Sequence, residues 1–161
     1  MFYIFKNPKT PRELAKICKT PKRVYWWVWF RVKYVTDKKQ YGVRDHLPTP
    51  EQVLKTKKDD CDGIAILIYA TLKILGCKAK LISVHRPMLI YKGVLKAIYA
   101  GHMLVTMKEK GTYIHMGNWG WKKTKAIKIK DLCKIIYPTW SYMYYWTLKN
   151  NKAVKGTRVI R

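Results

Sequence analysis

Apolar residues after position 61 recur at helical spacing. Ile64, Ile68, Leu72 and Leu75 form one stripe with Thr71 beside it, and Gly76 closes the run. The charged stretch Lys58-Asp59-Asp60 stops abruptly before it, and Asp59 or Asp60 is placed to accept from the first free N–H groups of that helix. Upstream, Thr10-Pro11-Arg12-Glu13 sets a cap residue before a proline and predicts a short helix to about Lys19. Thr20-Pro21 repeats the signal and predicts a second helix through Val24, Trp27, Val28, Arg31 and Val35, ended by Tyr34-Val35-Thr36-Asp37. Residues 38–48 read as a loop, and Thr49-Pro50-Glu51-Gln52 opens a third helix ending near Lys55.

Beyond Gly76 the period changes to two. Lys78 to Val84 alternates as a half-buried strand. Gly101 to Met107 reads as another, returning through a turn at Glu109-Lys110-Gly111 to a partner over Thr112 to Met116. Residues 87–100 fit either a hairpin arm turning at Lys92-Gly93 or a loop over a site. Alternation resumes from Ala126 to Lys130, Asp131 is placed to cap a short helix through Leu132, Ile135 and Ile136, and Pro138 stops it. A last strand is predicted over Thr157 to Ile160. Helices followed by an antiparallel meander predict an α+β fold, with N-terminal helices packed on the sheet. The chain is expected to be one domain, 1–161, with a core over about 20–120 and an aromatic, basic C-terminal extension over 121–161.

Charge changes the picture most. Thirty-four Lys and Arg face nine Asp and Glu, a formal charge of +25. Such a field attracts an anionic partner: nucleic acid, cell-wall polymer or an acidic protein surface. The interleaved run Trp140, Tyr142, Tyr144, Tyr145 and Trp146 followed by a basic tail suits single-stranded nucleic acid, or a subunit docked in a virion or another nucleic-acid-filled assembly. No apolar run is long enough to span a bilayer, and the first residues lack the layout of a signal peptide. The protein is therefore expected in the cytoplasm, or packaged from it. Cys18, Cys61, Cys77 and Cys133 form no CxxC pair, and no His or Cys lies at metal-ligand spacing from another, so neither zinc, another cofactor nor a disulfide framework is expected.

Cys61 falls in the first turn of the buried helix, where the positive end of the macrodipole favours thiolate. Asp59, Asp60 and Asp62 oppose ionisation, so a nucleophile there needs a base; the plainer reading is a small buried hydrophobe. Of His46, His85, His102 and His115, His102 is best placed, opening a strand after Gly101, with His85 its main rival. Asn118, just past the partner strand, can orient an imidazole through its amide oxygen, and fits equally as a turn residue before Trp119-Gly120.

The run Thr49-Pro50-Glu51-Gln52-Val53-Leu54, then Asp60-Cys61-Asp62-Gly63-Ile64-Ala65, then Leu72-Lys73-Ile74-Leu75-Gly76, then Gly101-His102 resembles the transglutaminase-like superfamily. It is most similar to the small bacterial, archaeal and phage members described as transglutaminase-like cysteine peptidases. Tyr34-Val35-Thr36-Asp37 resembles their upstream Tyr-x-x-Asp, and the likeness covers about residues 20–120. It implies a papain-like α+β core and a Cys–His–Asp site that hydrolyses amide bonds of protein or peptide, or transfers the acyl group to an amine. Carried over, Cys61 is the nucleophile and His102 the base. The family's Gly before Asp-Cys is Asp59 here, its second acid after Cys is Gly63, and Gly117-Asn118 stands where its third catalytic residue, an Asp, would be. That leaves a Cys–His–Asn variant with Asn118, a weak enzyme, or a scaffold that has lost its chemistry and serves as a basic binding subunit.

Overall fold

Threonine caps and prolines start the first helices as the sequence predicts. The computed structural model describes residues 2–91 and 95–161. Thr10 Oγ1 accepts from Glu13 N–H and opens α1, Pro11–Cys18; Thr20 does the same for Arg23 and opens α2, Pro21–Arg31. Thr49 and Gln52 close a reciprocal capping box at the head of α4, Pro50–Thr56. The central helix α5, Cys61–Ile74, starts on Asp60, whose carboxylate accepts from Asp62 N–H at 2.9 Å. Every residue from Gly63 to Leu72 is buried, so α5 is packed on all sides rather than along one stripe.

The sheet is antiparallel and six-stranded, consistent with an α+β fold. Its strands are β3, Lys80–Tyr91; β4, Leu95–Glu109; β5, Thr112–Gly117; β6, Gly120–Lys123; β7, Tyr142–Lys149; and β8, Lys152–Ile160, in the order β6-β5-β4-β3-β7-β8. Alternation gives it two buried faces. Leu81, Met103, Val105, Met116 and Trp146 pack against α5 and, behind it, Leu14, Val24, Trp27 and Val28 of α1 and α2. Ile82, Val84, Leu104, Tyr113 and Met143 turn the other way, onto Trp140 and Leu132, Cys133 and Ile136 of α6, Ile129–Ile136.

Several expectations are corrected. The second helix stops at Arg31, because residues 33–35 leave for a parallel pairing: β1, Lys33–Tyr34, runs beside β2, Lys58–Asp59. Lys33 N–H donates to Lys57 and Val35 N–H to Asp59, contacts that no local period reveals. The loop from 38 contains a short helix, α3, Asp37–Tyr41. Residues 126–130 are not a strand: Tyr113 takes the Ala126 carbonyl, and α6 begins at Ile129 after Lys128. Asp131 lies in the first turn of α6, favourable for the helix dipole, but does not cap it. Residues 87–100 take the hairpin reading, pairing down to Tyr91↔Leu95, and the expected turn at Lys92-Gly93 lies outside the described residues. The stretch 121–161 does more than extend a core: β7 pairs directly with β3, and α6 covers the second face. Among the described residues no helix is long and apolar enough to cross a membrane, and the four cysteines form no disulfide.

Candidate active site

Cys61 opens α5 with its sulfur against the backbone N–H of Met103, the residue after His102 on β4. The tip of the buried helix therefore abuts β4 where the β4–β5 pairing, which begins at Val105↔Met116, has not yet started. The thiol donates to Asp62 Oδ1 at 3.3 Å. Burial first, then the charges of Asp62 and Asp60, push its pKa well above the ordinary cysteine value, while the Met103 N–H pulls the other way. Burial also raises Asp60 to about 6 and, helped by the charge of Asp60, Asp62 to about 7. The resting group is thus a thiol, with burial first and the neighbouring carboxylates next disfavouring its charge.

Asp59 is completely buried beneath this tip. It accepts from the Tyr41 hydroxyl at 2.8 Å and the Asp60 N–H at 3.1 Å. A Cβ on Gly63 would fall 2.2 Å from its Cγ, so glycine at 63 is what lets this carboxylate lie against the helix. Asp37, also buried, takes the His46 N–H with one oxygen, and its other oxygen has no partner. Oxygen atoms of Asp37, Asp59 and Asp60 come within 4.8 Å of one another, close enough to share one hard cation, as do the ligand atoms of Asp60, Cys61 and Asp62. In a chain of charge +25, Asp37, Asp45, Asp59, Asp60 and Asp62 are five of only nine acids.

His102 leaves β4 on the face shared with Leu104, opposite Val84. Its ring lies flat on Trp119, centroids 3.6 Å apart at 9°, and Trp119 in turn meets Tyr137 edge-on. Burial, with the nearby His115, lowers its pKa to about 3, and its buried Nε2 has no hydrogen-bond partner. Asn118 occupies the two-residue turn between β5 and β6 with a buried, equally unpartnered Oδ1. The structure thus brings Cys61 to the residue beside His102 and sets Asn118 at the adjoining hairpin end, but the imidazole leaves the sheet on the face away from α5, and no hydrogen bond joins it to the thiol or to Asn118. Trp119 lies against the ring instead, a partner that no local spacing signals.

The other histidines are engaged elsewhere. His85 shares the α5 face, stacks on Tyr142 at 4.7 Å and bonds Ser83 Oγ at 2.9 Å. Gly101 makes room for it, since a Cβ there would lie 2.8 Å from the ring. His115 is buried on β5, its pKa lowered to about 4 by burial and then Lys122. His46 tilts against Tyr41 at 4.1 Å beside the acidic cluster. A cleft of about 350 Å³ runs beside the tip of α5, between Tyr25, Trp29 and Tyr34 on one side and Ile64, Gly117 and Asn118 on the other. Cys61 acts on the titration of Tyr34, placing the thiol near its end. Comparison with protein-family models gives no match, and comparison with the curated proteins gives none either.

Proposed function

We propose that the chain is a transglutaminase-like cysteine hydrolase or transferase acting on amide bonds of protein or peptide, with a papain-like arrangement of helix tip and antiparallel sheet. One observation carries the reading: the only cysteine at a helix start lies against the residue beside His102, whose buried Nε2 has no partner. An orphaned buried nitrogen is costly unless a reacting proton or a bound group completes it. Turned from its stack on Trp119 toward the sheet edge at Met103, His102 takes the Cys61 proton on Nε2, and the thiolate attacks the carboxamide carbon. The free backbone N–H of Cys61, in the first turn of α5, faces the oxyanion. The proton then goes from His102 to the departing amine or ammonia as the C–N bond breaks, and water or a second amine resolves the thioester. Asn118 is the acceptor available to orient the imidazolium. The substrate amide approaches along the cleft walled by Trp29 and Tyr34.

Iodoacetamide labelling with peptide mapping tests the site, paired with release of ammonia or amine from carboxamide peptides. His102→Ala should slow Cys61 labelling about tenfold or more, the scale of a lost general base, and leave Cys77 unchanged. Equal labelling at all four cysteines in both proteins overturns the assignment. A second reading, a catalytically silent binding subunit, is favoured by the burial and the neighbouring carboxylates that hold Cys61 protonated. Amide turnover that is lost in Cys61→Ala excludes it.

A further inference from the structure

β8 is the outer strand of the sheet, and the face it shares with β7 and β3 carries rings and cations in register. Tyr144 stands opposite Arg158, and Trp146 opposite Lys155. Lys155 Nζ lies 4.7 Å from the centre of the Tyr144 ring and 5.4 Å from that of Trp146. The Arg158 guanidinium lies 4.3 Å from Tyr142, and Tyr99, 56% exposed, leans on Tyr142 at 5.1 Å. Residues three apart on a regular strand leave from opposite faces. Lys155 and Arg158 share one because the ladder slips between Tyr144 and Trp146, giving β8 an extra residue there. Gly156 sits at that slip, where a Cβ would lie 3.0 Å from the Tyr145 carbonyl oxygen. The bulge gathers two cations that an even strand would separate.

Among the described residues no carboxylate pairs with either cation. No acid follows Asp131 in the chain, and among the described residues the one ion pair is Lys123–Glu109, on other strands. Their field reaches the neighbouring His85, whose pKa burial and then Lys155 and Arg158 lower against the weaker pull of Asp45. We propose that this face binds single-stranded nucleic acid, with phosphates at Lys155 and Arg158 and a base stacked on the exposed ring of Tyr99. Rings interleaved with cations suit exposed bases. A duplex hides its base faces, and an acidic peptide brings charge with few flat groups to stack. The proposal is independent of Cys61.

Fluorescence anisotropy of the full chain with a labelled oligothymidylate tests it. Lys155→Ala with Arg158→Ala should weaken binding about tenfold and reduce the slope of log affinity against log salt by about 1.4, two phosphate contacts. Lys38→Ala with Lys39→Ala removes the same charge from exposed sites on α3, and should weaken it less than about twofold if placement rather than net charge matters. Tyr99→Ala should weaken oligothymidylate binding and leave polyglutamate binding unchanged. Cys61→Ala should bind like the unaltered chain. Equal losses in the two double variants overturn the proposal, as does duplex DNA or polyglutamate competing as well as unlabelled oligothymidylate. All these side chains except Cys61 are exposed, and an unchanged urea midpoint keeps a binding loss distinct from unfolding.

Discussion

Gly63→Ala is expected to lower the unfolding free energy by about 3 kcal/mol, the upper range for overpacking a buried site. The new Cβ would fall 2.2 Å from Cγ and 2.3 Å from Oδ1 of Asp59. That carboxylate has no room to yield, because it is fully buried and held by the Tyr41 hydroxyl and the Asp60 N–H. The first turn of α5 would have to move, and with it Cys61. Gly42→Ala is the control: its φ of +73° strains any side chain, but no atom lies within 4 Å, so its cost should be about 1 kcal/mol. The same contact links the two positions, 59 and 63, at which the sequence differs from the transglutaminase-like motif it resembles. That pattern sets glycine before Asp-Cys and an acid two residues after the cysteine, whereas Asp59 and Gly63 reverse them. The Asp59 carboxylate stands where a side chain on residue 63 would stand. Asp59→Gly combined with Gly63→Asp is therefore expected to recover most of the stability that Gly63→Asp loses alone. Urea midpoints decide it. Similar costs for Gly63→Ala and Gly42→Ala, or a double variant no better than Gly63→Asp, would sink this account.

What could be read from the chain beforehand was whatever local spacing determines. Thr10, Thr20 and Thr49 before prolines mark helix starts, and the structure places the starts there. The apolar run after Asp60 marks α5, and the turn at residues 109–111 joins β4 to β5. Long-range pairing left no such trace. The two-residue strands β1 and β2 exist only because Lys33 and Val35 find carbonyls more than twenty positions away. Strand β7 belongs beside β3 for the same reason, although its residues fall in the stretch expected as an aromatic, basic C-terminal extension. At the site, the seat of Cys61 was legible because capping and helix position are local. The partner of the imidazole was not, since it is a tryptophan reached across a turn, and stacking of that kind has no motif. The ionisation state was legible in sign, because Asp60 and Asp62 flank the thiol in sequence, but burial, its largest cause, belongs to the folded chain.

Stability should change little between pH 7 and pH 4, and Asp60→Asn with Asp62→Asn should make it fall steeply over that range. The buried carboxyls of Asp60 and Asp62 titrate at about 6 and about 7 in the folded chain, above the ordinary 3.8. Groups raised in this way favour the folded state below 3.8, and that advantage is lost as pH rises through 6 and 7. The buried imidazoles of His102 and His115 go the other way, lowered from 6.5 to about 3 and about 4. Their contribution is intact above 6.5 and is lost as pH falls toward those values. The two gradients oppose each other across the same window. Removing these two carboxyls leaves the imidazole gradient opposed only by Asp37 and Asp59, whose carboxyls burial also raises, and the net fall should be on the order of 4 kcal/mol between pH 7 and pH 4. At pH 7 the amides should stabilise the fold by about 2 kcal/mol, since they bury no charge, and Asn at 60 still caps α5. The thiol responds in step: without the two charges its pKa falls, and Cys61 labelling at neutral pH should quicken about tenfold per unit of that fall. Urea titrations at pH 4, 5.5 and 7, with labelling rates on the same samples, read both effects. A double variant as flat with pH as the original chain, or one labelled no faster, would mean that these carboxyls do not control the tip of α5.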